Sequence, residues 1–375
     1  MFLSLFFIII KGIIDADGFE NIYNRSLNGG RLKIFDFDPD PFIRQSFWSI
    51  FFGFFVNSLS QYSLDQSTIQ RFQVAKNKKA AQLSLLLNIP MQFILTTLCC
   101  SVGLVLYANY YQCDPLSNPY DKVNNPNQLI GHFVKNHLND LPGVAGLFLG
   151  AVFCASLSSL SSAINSQALV IYQDFLKEIK YFQTLSDSKS LTVNKLLVLI
   201  CGLISTGLSF LISQLPGNLI QIGSTLNAVF VPLISLFVLG MLSPQTNKIG
   251  ALIGSIIGLL ASCWISFGAL IVKPSYPRLG VSIQSCNATI LSSTTANMLT
   301  KNVDDMDLGF KKFYYMSYHL YTAFGFVISL IVGFSISFLT NLLGYKNKPV
   351  DKSLIIFDLF GFIPYFKNKL RPIKT

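Results

Sequence analysis

Gly150–Gln167 reads GAVFCASLSSLSSAINSQ. Ala155, Ser158, Ser159, Ser162 and Ser166 stand at i, i+3, i+4, i+7 and i+11, so on a helix they share one stripe. Phe153, Leu157, Leu160 and Ile164, which lie between them, are apolar. The segment is long enough to cross hydrocarbon, where an unpaired polar group costs several kcal/mol. The hydroxyls therefore need partners. One arrangement is a small-residue stripe that lets a second helix approach, with the hydroxyls bonded to backbone carbonyls. The other is a cation site, in which the Ala155 carbonyl and the Ser158 and Ser159 hydroxyls converge as hard oxygen ligands beside a broken helix. Periodicity does not choose between them.

Composition sets the class. Of 375 residues 51% are hydrophobic and 12% charged, and the mean hydropathy is +0.50. Apolar runs fit to span about 30 Å recur along the chain. They cover Ser46–Ile69, Ala81–Ala108, Leu141–Ile171, Leu196–Leu215, Leu219–Leu242, Ile249–Val272 and Phe313–Leu343. This is an all-α, multi-pass membrane protein. The net charge of +10 does not indicate nucleic acid. The basic residues gather in short loops (Lys76, Lys78, Lys79; Lys177, Lys180, Lys189, Lys195) and in the tail, as the positive-inside bias requires. That bias places these loops and the C-terminus in the cytoplasm. The loops bearing the sequons Asn24-Arg25-Ser26 and Asn287-Ala288-Thr289 then fall outside, so Asn24 and Asn287 are candidate glycosylation sites. A transmembrane domain over 1–345 is expected, followed by a basic tail over 346–375 whose stretch Leu354–Phe366 lies on the inner surface.

Enzymatic signatures are missing from the sequence. It has no nucleophile–base set, no phosphate loop and no zinc spacing among its seven cysteines. His132 and His137, five apart, do not suit a helical metal pair. Cys113 and Cys286 both fall in outer loops, where oxidation is permitted; spacing alone leaves their pairing open. Asp65 ends a span. It reads either as an ion-exit or gating carboxylate, together with Gln66, or as a helix-end acid paired with Arg71 or a loop lysine.

A series of motifs then points one way. Gly29-Gly30-Arg31-Leu32, Asp38-Pro39-Asp40-Pro41-Phe42, and Arg44 with Phe47-Trp48 come first. Tyr62, Asp65-Gln66, Ile69-Gln70-Arg71 and Lys79-Ala80-Ala81 follow, then Cys113-Asp114-Pro115 and Leu141-Pro142-Gly143. Next come Gly146-Leu147-Phe148, Leu157-Ser158-Ser159 with Asn165, Phe313-Tyr314 and Ser317-Tyr318. Their order and spacing up to Leu343 resemble the sodium/solute symporter family, in its multivitamin, monocarboxylate and iodide branch. The resemblance implies a leucine-transporter-type core of two inverted five-helix repeats. It also implies a sodium site formed by the Ala155 carbonyl, Ser158 and Ser159, with Ser161, Ser162 and Asn165 close by. Phe2–Ile14 would match the outer half of the fifth core helix. The chain would then carry the end of the first repeat, the whole second repeat and two further helices, and would not transport by itself.

Ser60, Gln61 and Tyr62, with Ser224 on a later helix, are the solute-pocket residues the resemblance implies. Gln61-Tyr62 stands where the sugar branch has a Tyr-Trp pair, and Ser224 where it has a glutamine, so sugar is disfavoured. Asp65 stands where the vitamin branch usually has Asn. The implied activity is sodium-coupled symport of a small organic anion or vitamin across the plasma membrane. Na⁺ is then the coupling ion, there is no cofactor, and the partners are the solute, sodium and the bilayer. The alternative is a non-transporting chain that associates with a full-length paralogue.

Overall fold

The computed structural model describes residues 2–33, 35–118, 123, 125–138, 141–214, 219–242, 245–272, 274, 279–282, 286 and 309–344. Asn287 and the tail, with the Leu354–Phe366 surface piece, lie outside them. All regular structure among the described residues is helical. Five helices are long and apolar enough to cross a membrane, and a sixth crossing is counted if one bent pair is a single span. The chain divides into two compact units. One comprises Met1–Ile34, Asp65–Asn218 and Pro277–Lys301; the other comprises Phe35–Leu64, Leu219–Tyr276 and Asn302–Thr375.

In the first unit α1 (Phe2–Asp15) lies along the C-terminal half of α5 (Lys78–Asn109). Leu5, Ile8 and Val102 pack there with Phe133, Val134 and Leu138 from α6 (Leu129–His137) and its end. The approach is close at Gly12, where any Cβ would strike Val105, and Asn109 Nδ2 donates to the Gly12 carbonyl at 3.0 Å. Lys11 is the one basic residue of this apolar helix. It is neutralised by Asp15 at 2.7 Å, and Asp15 also holds His137 Nδ1 at 2.8 Å. α2 (Phe19–Asn28) is fastened by Arg25, which donates to the Ala108 carbonyl at 3.0 Å.

The Gly29-Gly30-Arg31 motif has a steric basis. A Cβ at residue 29 would collide with the Tyr107 hydroxyl, and Gly30 adopts φ 66°, which favours glycine. Arg31 then lies 4.3 Å over the Tyr107 ring and donates to the Gly280 carbonyl at 3.2 Å. Beside it, the Asp114 N–H donates to the Ser282 carbonyl at 3.0 Å. Cys113 and Cys286 are joined as a disulfide with Cα atoms 5.0 Å apart, which closes the question the spacing left open.

α7 (Val144–Val170) begins after Gly143 in the left-handed region, φ 87°, and packs against α9 (Asp187–Ser213). The C-terminal end of α7 widens into a π-helical turn, Ile171–Phe175, followed by the short α8 (Lys180–Gln183).

The second unit is built on α12 (Lys248–Val272) and α13 (Leu320–Leu342). Gly250, Gly254, Gly258 and Ser262 recur every fourth residue on one helix, and Gly325, Ser329, Gly333 and Ser337 on the other. Small residues at this spacing let backbones touch: a Cβ at Gly254 would lie 2.6 Å from the Gly333 Cα. The antiparallel pair is locked at one end by Asn247. Its Oδ1 caps α12 through the Gly250 N–H at 2.8 Å, and its Nδ2 reaches the Ser337 carbonyl at 3.3 Å and Asn341 Oδ1 at 3.2 Å. α10 (Leu219–Phe230) and α11 (Ile234–Leu242) are separated by a turn at Val231–Leu233 and meet at 51°. Pro232 sits in that turn, and its missing N–H and ring account for the bend. The span expected from Leu219 to Leu242 is therefore a broken one.

Candidate functional site

The expected span Ser46–Ile69 is also broken. α3 (Phe47–Ser63) stops at Leu64, and α4 (Gln66–Gln73) starts afresh with Asp65 as its N-cap. The Asp65 carboxylate accepts from the Thr68 N–H at 3.1 Å, from the Thr68 hydroxyl at 2.6 Å and from the Ser67 hydroxyl. A carboxylate at this position satisfies orphan N–H groups and favours the positive end of the helix. Asp65 is thus a cap and not the partner of Arg71. A separation of six residues turns a helical side chain by roughly 240°, so the two point apart. Gln66 opens α4 and is half-buried.

Arg71 instead faces α7, where its Nη2 donates to the Ser162 hydroxyl at 3.2 Å. Ser162 in turn donates to the Ser158 carbonyl at 3.1 Å. The serine stripe therefore has two parts within this unit. Toward its C-terminal end Ser162 is engaged by α4 and Ser166 is buried. Toward the N-terminal end, Ala155, Ser158 and Ser159 are exposed, as are Ser161 and Asn165, and Val152, Phe153, Leu157 and Leu160 are exposed around the rest of α7. Among the described residues the Ser158 and Ser159 hydroxyls have no protein partner, whereas Ser156 donates back to the Val152 carbonyl at 2.8 Å. Helical geometry sets the Ala155 carbonyl beside the side chains at 158 and 159, so three hard oxygens share one patch.

The four residues expected to line a solute pocket lie in the second unit. Ser60, Gln61 and Tyr62 form the last turn of α3, whose Ser60 carbonyl receives the Leu64 N–H at 2.8 Å. Val56, one turn earlier, is buried with Ile234, Ala323 and Phe326. This fixes the face of α3 that meets α11 and α13. Ser224 is half-buried on α10, beside the buried Thr225, and α10 packs on α12 and α13. Ser60–Tyr62 are thus brought onto one turn, and Ser224 stands on a separate helix.

The sequence did not disclose Arg71 as a neighbour of the serine stripe. The available signal was a basic residue at the inner end of a span, one face away from the nearest acid. Asn24 is exposed on α2, whereas Ser26 of the same sequon is 1% exposed and its hydroxyl lacks a partner.

A family model, the sodium:solute symporter family, matches residues 4–258. The human sodium-coupled monocarboxylate transporter 1 is 33% identical over 378 residues, covering 96% of this chain and 60% of that protein. The rabbit (Oryctolagus cuniculus) sodium-dependent multivitamin transporter is 32% identical over 95% of this chain and 56% of its own length. A Drosophila melanogaster protein described as a sodium-dependent multivitamin transporter is 31% identical over 99% of this chain and 62% of its own. This chain therefore spans roughly 60% of the relatives it matches. Among solved structures, a Na⁺-coupled sialic acid symporter superposes with a TM-score of 0.64 at 18% identity, over 93% of this chain and 60% of that one, which shows a shared fold. With the family model over two thirds of its length and nearly all of it aligned to relatives at 31–33% identity, the chain belongs to the sodium:solute symporter family.

Proposed function

We propose that this chain carries the ion-binding helix and part of the solute site of a sodium-coupled symporter for a small organic anion, such as a monocarboxylate or vitamin. The observation that carries the reading is the open patch formed by the Ala155 carbonyl and the Ser158 and Ser159 hydroxyls. Hard, neutral oxygens suit an alkali cation. Ser162 and Asn165 extend the patch inward, and Asp65 and Gln66 stand at the inner break as gating or exit residues. The named activities of the monocarboxylate and multivitamin relatives support the substrate class. Asp65 already occupies the positive end of α4, so an anionic solute is met by the hydroxyls and amide of Ser60, Gln61, Tyr62 and Ser224.

Sodium's charge couples transport to the membrane potential, which supplies roughly 2.3 kcal/mol per charge per 100 mV. Three oxygens are an incomplete shell for the ion, so the remaining ligands come from outside this set, and the chain by itself does not transport. The protein sits in the plasma membrane with its C-terminus inside. A glycan on Asn24 is added before α2 docks, because Ser26 is buried afterwards.

Uptake of labelled lactate, biotin, pantothenate and glucose, in sodium against choline buffer, tests this. The chain would be assayed as it stands and after completion by joining it to the part of the human monocarboxylate relative that it does not match. The completed form takes up the organic anions in sodium only, and Ser158→Ala with Ser159→Ala abolishes uptake. Equal uptake in choline, or full activity of the double variant, overturns the sodium assignment. Uptake by the chain alone overturns its inactivity.

A further inference from the structure

One contact in the first unit joins the candidate ion helix to the half-helix behind the break. Arg71 Nη2 donates to Ser162 Oγ at 3.2 Å, and the same hydroxyl spends its proton on the Ser158 carbonyl at 3.1 Å. Ser162 is one of the oxygens placed near the ion, and Ser158 is another. A hydroxyl oxygen that accepts from a guanidinium is a poor ligand for a second cation. One of its two lone pairs is engaged, and two positive charges sharing one oxygen would stand a few ångströms apart and repel each other. Arg71 stays charged throughout, so the conflict is not relieved by deprotonation.

We propose that Arg71 and sodium compete for the Ser162 hydroxyl. Arg71 is on this view a positioning residue whose release couples ion entry to movement of α4. With Arg71 in place, Ser162 is withdrawn from the ion and α4 is tied to α7. When sodium recruits Ser162, the guanidinium leaves and α4 is freed from the ion helix. Departure of sodium lets Arg71 return. The tie ends on α4, the eight-residue helix that begins at the Leu64–Asp65 break, so its loss acts on a segment already separated from α3. This inference rests on the sodium reading of the serine stripe given above.

The test uses the 375-residue chain joined to the relative's segment as above, in lipid nanodiscs. The thermal unfolding midpoint is followed against NaCl, with choline chloride holding ionic strength constant. Arg71→Gln lowers the half-saturating sodium concentration by at least about threefold, and Arg71→Lys stays near wild type. In an Ser162→Ala background Arg71→Gln changes nothing further. An unchanged half-saturation in Arg71→Gln overturns the competition. The same shift with Ser162 removed also overturns it, because that outcome marks long-range repulsion only.

If the wild-type midpoint ignores sodium, or Ser158→Ala responds as wild type does, the sodium reading fails first and this inference with it. Should Arg71→Gln not fold, limited trypsinolysis of the unaltered chain reads the same step. Cleavage after Arg71 is faster in sodium than in choline if the side chain is released, and equal or slower cleavage overturns the proposal.

Discussion

Asp65 shows how one side chain decides the local path of the chain. Its carboxylate gathers the N–H and hydroxyl of Thr68 and the hydroxyl of Ser67, which starts α4 and ends any continuation of α3. Asp65→Ala removes that cap and costs about 1 kcal/mol, whereas Asp65→Asn keeps an acceptor in place and costs a few tenths. Thermal unfolding of the two variants checks the order, and equal losses would mean that the negative charge matters more than the cap. The spacing of Ala155, Ser158 and Ser159 was readable directly, because helical periodicity assigns them one face. Arg71 was not. Its partner lies 91 residues away, and local spacing only says that Arg71 and Asp65 diverge.

At the level of helices, the contact between α12 and α13 depends on having almost no side chain at the seam. Gly254→Leu forces atoms into the Gly333 backbone and lowers stability by more than about 2 kcal/mol. Gly240 in α11 has nothing within 4 Å of an added Cβ, so Gly240→Ala is neutral or gains up to about 1 kcal/mol from helix propensity. The two substitutions, measured side by side in the same detergent, separate steric closeness from backbone freedom. Asn247→Ala loses a helix cap and its reach to Ser337 and Asn341, costing about 2 kcal/mol. The every-fourth-residue glycines were visible in the sequence. Which helix faces them was not, since several helices carry small residues and only the packed structure pairs α12 with α13.

For the whole chain, the Cys113–Cys286 disulfide is the most direct check on topology. Five of the seven cysteines are free thiols, so maleimide labelling of the denatured, unreduced chain counts five, and reduction adds two. The bridge links residues 173 positions apart. Cys113→Ser together with Cys286→Ser lowers stability by about 2–4 kcal/mol. Labelling of seven thiols without reductant would place at least one of these loops in a reducing compartment.

By itself, the sequence determined the helical membrane class, the five unbroken spans, the charge bias of the loops and the serine face of α7. Each of these follows from hydrophobicity and helical period, which are properties of neighbouring residues. Tertiary structure decided where spans break, at Asp65 and at Pro232. It also decided that Cys113 meets Cys286, that Gly254 meets Gly333, and that Arg71 turns to Ser162. Those outcomes depend on which distant surfaces bury each other, and the sum over many weak contacts that selects them is not written in any local stretch of the chain.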